Sequence, residues 1–118
     1  MGSKTNSPKP RAARATSNRR KADHHTDRAA LQDLQQIVNI GPSIAGNLQR
    51  AGVRSPQQLI DADPLDLYRR ICRVDGVQHD PCLIDCLMAA VDFMSGHPPR
   101  AWWKYTPHRK RLLAEQAD

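Results

Sequence analysis

Residues 38–45 read Val38-Asn39-Ile40-Gly41-Pro42-Ser43-Ile44-Ala45 and separate two segments whose apolar residues recur at helical spacing. This spacing predicts a first helix over residues 29–38 and a second over residues 42–51. Asn39 and Gly41 are the turn residues that best tolerate a positive φ, so we expect both to adopt it. The predicted local structure is therefore two short helices joined by a tight turn.

The start of the second helix is a predicted anion site. Pro42 suits its first position, where an N–H would have no partner anyway. The N–H groups that follow also lack a partner inside the helix, and the positive end of the helix dipole lies behind them. Gly41 and Ser43 are small enough to let a phosphodiester come close. We therefore predict that the amides at residues 41–44 bind phosphate.

The same stretch resembles the helix-hairpin-helix motif of DNA-binding proteins, whose loop reads roughly apolar–Gly–apolar–Gly with a small residue four positions on. Ile40, Gly41 and Ala45 match this pattern, and Asn39 stands where the family has its first glycine. The resemblance implies a hairpin of two helices that contacts DNA. Many such hairpins only pack against a partner hairpin, so a purely structural role stays open.

Capping residues mark three more predicted helices. Ser55 and Gln58 form a capping box for a short helix over residues 55–62, Asp63 caps a fourth helix, and Asp80 caps a fifth. A proline follows each of the three N-cap residues, in the position that favours the first turn of a helix.

The fifth predicted helix, residues 81–94, is apolar almost all round. Only Asp85 and Asp92, seven residues apart, interrupt the apolar surface, and we expect them to form one solvated line. A helix of this composition belongs at the centre of a bundle. The sequence therefore predicts an all-α fold of about five short helices without a sheet, arranged as a doubled helix-hairpin-helix bundle.

The distribution of charge and apolar residues divides the chain into three predicted parts. Residues 1–30 carry eight basic and two acidic side chains, which accounts for the whole net charge of +6, whereas residues 31–118 carry ten of each. We predict a disordered basic leader over residues 1–29, a helix-hairpin-helix domain over residues 30–96 and a Trp-containing basic C-terminal extension over residues 97–118. The leader's composition fits equally a solubilising segment and an arm that binds nucleic-acid phosphates.

The composition also limits the class of protein. Hydrophobic residues make up 39% of the chain, and no apolar run is long enough for a membrane helix or a signal peptide. Three cysteines without an export signal predict reduced thiols in a cytoplasm. We therefore expect a cytoplasmic protein without a membrane partner.

A longer series of motifs runs from Gly41-Pro42-Ser43-Ile44-Ala45 through Leu67-Tyr68-Arg69-Arg70-Ile71-Cys72 and His79-Asp80-Pro81-Cys82 to Trp102-Trp103. In this order the motifs resemble the small bacterial pathogenicity-locus family, whose members are often labelled helix-hairpin-helix or mitomycin-resistance proteins. The resemblance covers about residues 31–111. It implies a compact helical domain in the bacterial cytoplasm with a DNA-related role.

Cys72, His79, Cys82 and Cys86 are the candidate metal ligands. Three thiolates and an imidazole would suit zinc, but the spacing is not that of a zinc knuckle, and Cys72 and Cys86 lie in apolar stripes. We therefore predict metal-free core thiols. Cys82 lies near a helix start, which would lower its pKa, and His79 precedes it by three residues. No further partner for a thiol enzyme is evident, so we expect neither an enzyme nor a cofactor.

The C-terminal extension holds a second set of candidate contacts. Trp102-Trp103 suits either the stacking of bases or the covering of a core that has a single phenylalanine. A last short helix begins at Thr106-Pro107. Lys104 lies just before this helix, and we expect Arg109, Lys110 and Arg111 to form a solvated basic face, which either adds phosphate contacts or is simply exposed to water.

The leading prediction is a non-enzymatic DNA-binding module, in DNA repair or damage resistance, that holds the phosphate backbone without reading sequence. The predicted nucleic-acid-binding residues are Asn39, Gly41, Ser43, Ile44, Arg50, Arg54, Lys104, Arg109 and Lys110. The alternative is a protein-interaction adaptor in which the hairpin is a scaffold. Its acidic segment, residues 61–92, holds seven Asp and three Arg and would meet a basic partner.

Overall fold

The computed structural model describes residues 20–116, which form an all-helical fold. The α-helices in this range are α1 (Pro42–Arg50), α2 (Pro64–Asp75), α3 (Cys82–Met94) and α4 (Thr106–Gln116). Short 3-10 segments lie at Arg28–Ala30, Leu34–Gln36, Pro56–Leu59 and Trp102–Tyr105, and residues 20–116 contain no strand. The all-α prediction is confirmed, with four α-helices in the described chain where about five were expected. Residues 1–19 of the predicted leader lie outside the described residues.

Two of the three predicted N-cap residues, Ser55 and Asp63, occupy their expected places. The third, Asp80, lies one residue before the N-cap of α3, which is Pro81, although the Asp80 side chain still accepts a hydrogen bond from the Cys82 amide. The Asp63 side chain accepts hydrogen bonds from the amides of Leu65 and Asp66 at the start of α2. Ser55 and Gln58 form the predicted capping box, although the segment that they open is a 3-10 turn. These short polar bonds satisfy the amides that a helix start leaves unpaired, which is why they mark the element boundaries in the sequence.

The predicted helix over residues 29–38 is wrong. Two 3-10 turns occupy this segment, and Leu31 between them is extended, with φ −69° and ψ 138°. Asp33 and Gln36 form a capping box that starts a new turn immediately after Leu31. Such local bonds between side chain and backbone compete with a continuous helix. Leu31 and Ile37 are nevertheless buried, so the apolar spacing identified the core residues but not the helix.

Residues 20–29 lie against the folded domain, although the sequence predicts disorder for them. The Arg28 guanidinium lies 4.3 Å from the centre of the Phe93 ring, and its Nε donates to the Phe93 carbonyl oxygen at 2.8 Å. The Ala22 amide donates to the Gln36 carbonyl oxygen at 2.8 Å. The predicted boundary at residue 29 is therefore too late, because specific contacts already hold the chain at Ala22.

Helix α3 lies at the centre of the fold, as its apolar composition predicts. Ile84, Leu87 and Phe93 are fully buried. The predicted solvated line is wrong for Asp85, whose side chain is fully buried too, while Asp92 is partly exposed. None of the helices among residues 20–116 has the length and apolar character needed to cross a bilayer.

The buried carboxylate of Asp85 holds α4 against α3. Arg109 Nε donates to Asp85 Oδ1 at 2.9 Å, and Thr106 Oγ1 donates to Asp85 Oδ2 at 2.6 Å. The Asp85 side chain is 0% exposed and the Arg109 side chain 11%. Because a buried charge is tolerated only when it is paired, this ion pair fixes the C-terminal helix to the core.

Candidate nucleic-acid interface

The turn before α1 has one of the two predicted positive φ angles. Asn39 has φ 67°, which confirms the prediction for this residue. Gly41 is extended, with φ −98° and ψ −170°, so the prediction for Gly41 is wrong. Asn39 Nδ2 also donates to the Arg100 carbonyl oxygen at 2.8 Å. Asn39 therefore makes the reversal of the chain and ties it to the C-terminal extension.

The start of α1 has amides that donate to no acceptor within the described chain. Pro42 is the first helical residue, and the earliest helical bond runs from the Ala45 amide to the Gly41 carbonyl oxygen at 3.0 Å. Within the described chain, the amides of Ser43 and Ile44 have no acceptor and no side chain caps this end. Ser43 is exposed and Ile44 partly exposed. The positive end of the helix dipole is therefore accessible to an anion.

The space beside Gly41 is open. A Cβ atom at this position would meet nothing within 4 Å. Its φ of −98° is one that any residue adopts, so the fold does not require glycine here for conformational reasons. A side chain at this position would therefore project into open space.

Lys21 supports the turn from the other side. Its Nζ donates to the carbonyl oxygens of Gln35, Ile37 and Ile40, at 2.7, 2.8 and 2.7 Å. Burial lowers the pKa of Lys21, an effect that the Asp33 carboxylate opposes. The ammonium group binds three carbonyl oxygens of the turn and adds positive charge close to α1. Sequence reasoning missed Lys21 because it lies in the predicted leader, in a run of three basic residues with no apolar pattern.

Arg50 and Arg54 lie away from the accessible amides. Arg50 is at the far end of α1, about 10 Å along the helix axis from Ser43, since each helical residue rises about 1.5 Å. Its Nε donates to Asp75 Oδ1 at 2.8 Å, and its NH2 group donates to Asn47 Oδ1 at 2.6 Å. Arg54 is exposed and follows the end of α1. Both guanidinium groups therefore belong to residues at the end of α1 opposite Ser43 and Ile44.

The predicted contacts of the C-terminal extension separate into exposed and buried groups. Lys104 and Lys110 are exposed, and Trp103 is 61% exposed. Trp102 is only partly exposed and lines a cavity with Ile44. The predicted solvated position of Arg109 is wrong, because its guanidinium is bound to Asp85 inside the protein. The extension therefore offers Lys104, Lys110 and Trp103 to solvent.

The surroundings of the two thiols of α3 raise their pKa values. A hydrogen bond with the Asp80 side chain, together with burial, raises the pKa of Cys82. The lowering that its place near a helix start predicts is therefore wrong. Burial raises the pKa of Cys86 to about 11. Thiols with raised pKa are almost wholly protonated at neutral pH, where the thiolate is the reactive form.

The four candidate metal ligands make separate contacts and do not form one group. His79 Nε2 contacts Asp75 Oδ2 at 2.8 Å, and the His79 amide donates to Cys72 Sγ at 3.4 Å. Cys82 and Cys86 lie one turn apart on α3, and all three cysteines are free thiols. The part of the chain that the structure describes holds no group of three His, Cys, Asp or Glu side chains placed to bind a metal. That the protein binds no zinc stays a prediction.

Comparisons with known proteins agree with the family resemblance read from the sequence. Residues 27–111 match the family model described as pathogenicity locus. The chain is also 50% identical over 82 residues to the mitomycin resistance protein McrB of Streptomyces lavendulae, which covers 70% of this chain and 78% of that protein. No solved structure matches the chain. The chain therefore belongs to the pathogenicity-locus family.

Proposed function

We propose that this protein is a non-enzymatic DNA-binding module that holds the phosphate backbone at the start of α1. The observation that carries the proposal is the pair of accessible amides at Ser43 and Ile44, which have no acceptor within the described chain. A phosphate oxygen would accept from these amides at the positive end of the α1 dipole. The Lys21 ammonium, bound to three carbonyl oxygens of the turn, would add favourable charge.

The open space at Gly41 supports an external ligand rather than a packing partner within the domain. Neither backbone conformation nor a neighbouring atom requires glycine there. A small residue at this point would leave the most room for a ligand that approaches the start of α1. Such contacts involve phosphate groups alone, so the expected binding is independent of base sequence.

We further propose a role in DNA repair or damage resistance in the bacterial cytoplasm. The support is the name of the Streptomyces relative, a mitomycin resistance protein, together with the identity of 50% that it shares with this chain. A module that covers the DNA backbone without reading sequence suits damage that arises at any sequence.

The adaptor alternative has less support, because most carboxylates of its acidic segment have internal partners. Asp63 and Asp80 accept bonds from backbone amides, while Asp75 and Asp85 are bound to arginines. Asp66 pairs with an arginine one helical turn away. A carboxylate already bound within the domain attracts a basic partner less than a free one does. We therefore favour DNA over a basic protein.

The test compares two substitutions at Ser43 in the full chain. Both variants are made in a background protein that carries glutamine in place of the basic residues at positions 4, 9, 11, 14 and 19. These changes remove DNA binding by the leader. Ser43→Glu puts a negative charge where the phosphate would bind, at a helix position where the dipole tolerates an acidic side chain. Ser43→Gln has nearly the same size and no charge. Both variants should unfold at a denaturant concentration similar to that of the background protein.

Fluorescence anisotropy with labelled duplex and single-stranded DNA at low salt is the measurement. We expect Ser43→Glu to bind about tenfold more weakly, the size of one charge-assisted contact, and Ser43→Gln to bind more weakly by a factor of about two. A plot of log affinity against log salt concentration should be less steep for Ser43→Glu, by about the amount that one phosphate contact contributes to the slope. Equal DNA affinities of the two variants would rule out a phosphate site at Ser43. Absence of DNA binding in the background protein would favour the adaptor.

A further inference from the structure

The cavity that Ile44 and Trp102 line lies between α1, α3 and the C-terminal extension. Its volume is about 270 Å³, and its walls are mainly apolar, with Leu83 and Cys86 among them. This volume is just below the range of roughly 300–1,000 Å³ that holds drug-sized ligands. The cavity therefore suits a ligand group of about the size of one heterocyclic ring system.

The Asn47 amide is a buried polar group of this cavity with one half unpartnered. Asn47 lines the cavity and is 8% exposed. Its Oδ1 accepts from the NH2 group of Arg50 at 2.6 Å, and its Nδ2 group donates to no acceptor within residues 20–116. Nδ2 is not among the side-chain atoms of this range that are both unpartnered and closed to solvent, so a ligand can reach it. Because buried donors nearly always have an acceptor, Nδ2 marks the point where a ligand's acceptor atom would bind.

The charges of the cavity differ from those at the start of α1. Asp80 lines the cavity, and a hydrogen bond from the Cys82 amide contributes most to lowering its pKa, so its carboxylate is charged at neutral pH. His79 lines the cavity too and contacts Asp75 Oδ2 at 2.8 Å. The Asp80 carboxylate would repel an anion in the cavity, whereas the accessible amides at the start of α1 attract one. The two regions together therefore suit a ligand with an anionic end and an uncharged end.

We propose that this cavity binds an unpaired base of the DNA strand whose phosphate is held at the start of α1. The inference rests on the proposed function and deepens it, because Ile44 contributes its amide to the phosphate site and also lines the cavity. The base would stack on Trp102, since an indole accepts any base. A carbonyl oxygen or ring nitrogen of the base would accept from Asn47 Nδ2. All four DNA bases carry such an acceptor, so the cavity would recognise an unpaired base and not a particular sequence.

The preferred ligand is therefore DNA with an unpaired base rather than an intact duplex. A paired base must leave its partner and its stacked neighbours before it enters a cavity, whereas an unpaired base leaves the stack at a much smaller cost. Contacts to phosphate alone do not distinguish the two kinds of DNA by their bases. A preference for an unpaired base thus separates the contribution of the cavity from that of the phosphate site.

The experiment compares two DNA hairpins, one with a single unpaired thymine and one with an abasic sugar at the same position. Their phosphate groups are identical in number and position. The protein is the full chain with glutamine at the five basic leader positions. By fluorescence anisotropy at low salt, we expect the thymine hairpin to bind about tenfold more tightly, the size of one stacked base.

Fluorescence of Trp102 reports whether the base stacks there. Trp103→Phe leaves Trp102 as the only tryptophan of the chain. In this variant the thymine hairpin should quench the tryptophan fluorescence, with the affinity measured by anisotropy. The abasic hairpin should leave the fluorescence nearly unchanged, because it has no base to stack.

Three further variants test the walls of the cavity through the ratio of the two hairpin affinities. Asn47→Asp removes the Nδ2 donor and keeps an oxygen that accepts from Arg50, so the fold should persist while the ratio falls from about ten to about two. The added charge weakens both hairpins and largely cancels in the ratio. Trp102→Leu should bring the ratio close to one. Trp103→Leu is the matched control and should keep the ratio, since Trp103 is 61% exposed and does not line the cavity.

Ser43→Glu distinguishes failure of this inference from failure of the proposed function. It should weaken binding of both hairpins about tenfold and keep their ratio, because it acts on the phosphate alone. Equal affinities of the two hairpins, or a ratio that Asn47→Asp and Trp102→Leu leave unchanged, would overturn the base site and leave the phosphate site standing. Absence of binding to either hairpin would overturn the proposed function and this inference with it.

Discussion

The two turns that lead into α1 and α3 differ at the residue before the proline. Gly41 precedes Pro42 at the first turn and Asp80 precedes Pro81 at the second. Asp80 Oδ1 accepts from the Cys82 amide at 2.8 Å, and this hydrogen bond contributes most to lowering the pKa of Asp80. The second helix start therefore has an anion of its own, whereas the first leaves the corresponding position open.

Under the proposed function, this difference explains why only the first of the two similar turns would bind an external anion. A helix start attracts any anion, and a carboxylate from the chain satisfies it as well as a phosphate does. The second turn is further closed by the contact of His79 with Asp75. The first turn is supported from the side of its carbonyl oxygens by Lys21, which leaves its amides accessible.

The largest expected effect is on the α3 side of the molecule, where the Arg109–Asp85 ion pair holds α4 against α3. Arg109→Ala would leave the Asp85 carboxylate buried without its charge partner, and we expect a loss of about 3 kcal/mol in the free energy of unfolding. Urea denaturation followed by circular dichroism measures it. Arg111→Ala, an exposed arginine on the same helix, is the control and should change stability by less than about 0.5 kcal/mol. Similar losses in both variants would contradict the internal role of Arg109.

Removal of Lys21 weakens the first turn. Lys21→Met keeps much of the aliphatic chain but deletes three bonds from a charged donor, so we expect a loss of about 2 kcal/mol in the free energy of unfolding. Faster hydrogen exchange should appear at the Ile40 amide, which closes the turn by donating to the Ile37 carbonyl oxygen. Arg20→Ala is the control, since Arg20 is exposed and adjacent. If Arg20→Ala destabilises the protein as much, net charge rather than the support of the turn is responsible.

Removal of the negative charge before α3 would make the second turn resemble the first, and it should increase DNA binding. Asp80→Ser retains a capping oxygen and removes the negative charge. We expect affinity for duplex DNA to rise about threefold at low salt, because an anion at a helix start gains a modest dipole interaction. Fluorescence anisotropy measures the change, with Asp61→Ser, an exposed aspartate outside the helix starts, as the control for net charge. An equal rise in the two variants would assign the effect to net charge alone.

The smallest expected effect concerns the contacts of Asp75 and appears only at low pH. Arg50 first, and then His79, hold the pKa of Asp75 at about 2, below its usual 3.8. A group whose folded pKa is depressed stabilises the fold above its unfolded pKa, so this stabilisation should be lost as pH falls from about 4 to about 2. Free energies of unfolding measured across this window should converge for the wild type and Asp75→Asn. Parallel curves would show that the Asp75 charge does not stabilise the fold.

The part of the fold that the sequence predicted depends on short-range chemistry. Asp63, with a proline after it, marks the start of α2, because a cap and the proline that follows it act within one turn. The spacing of Leu31 and Ile37 identified buried residues, but burial alone does not distinguish a helix from two short turns. The capping box at Asp33 that interrupts the segment is a local signal that the apolar spacing obscured.

Contacts between distant parts of the chain were not predictable from local patterns. Asp85 looks solvated in the sequence because its partner, Arg109, lies 24 residues away. Lys21 reaches carbonyl oxygens 14 to 19 residues on, and no spacing rule connects an ammonium group to a backbone acceptor. The lack of an internal acceptor for the Ser43 and Ile44 amides was predictable, since it follows from the helix start alone, whereas phosphate binding at these amides stays a prediction.

The most direct test of the central claim observes these amides during DNA binding. The protein with glutamine at the five basic leader positions is labelled with ¹⁵N and titrated with a short duplex at low salt. We expect the amide protons of Ser43 and Ile44 to move downfield and to saturate with the affinity measured by anisotropy, while the Cys82 amide, already bound to Asp80, stays in place. Unchanged Ser43 and Ile44 signals alongside saturable DNA binding would contradict the claim that this helix start holds phosphate.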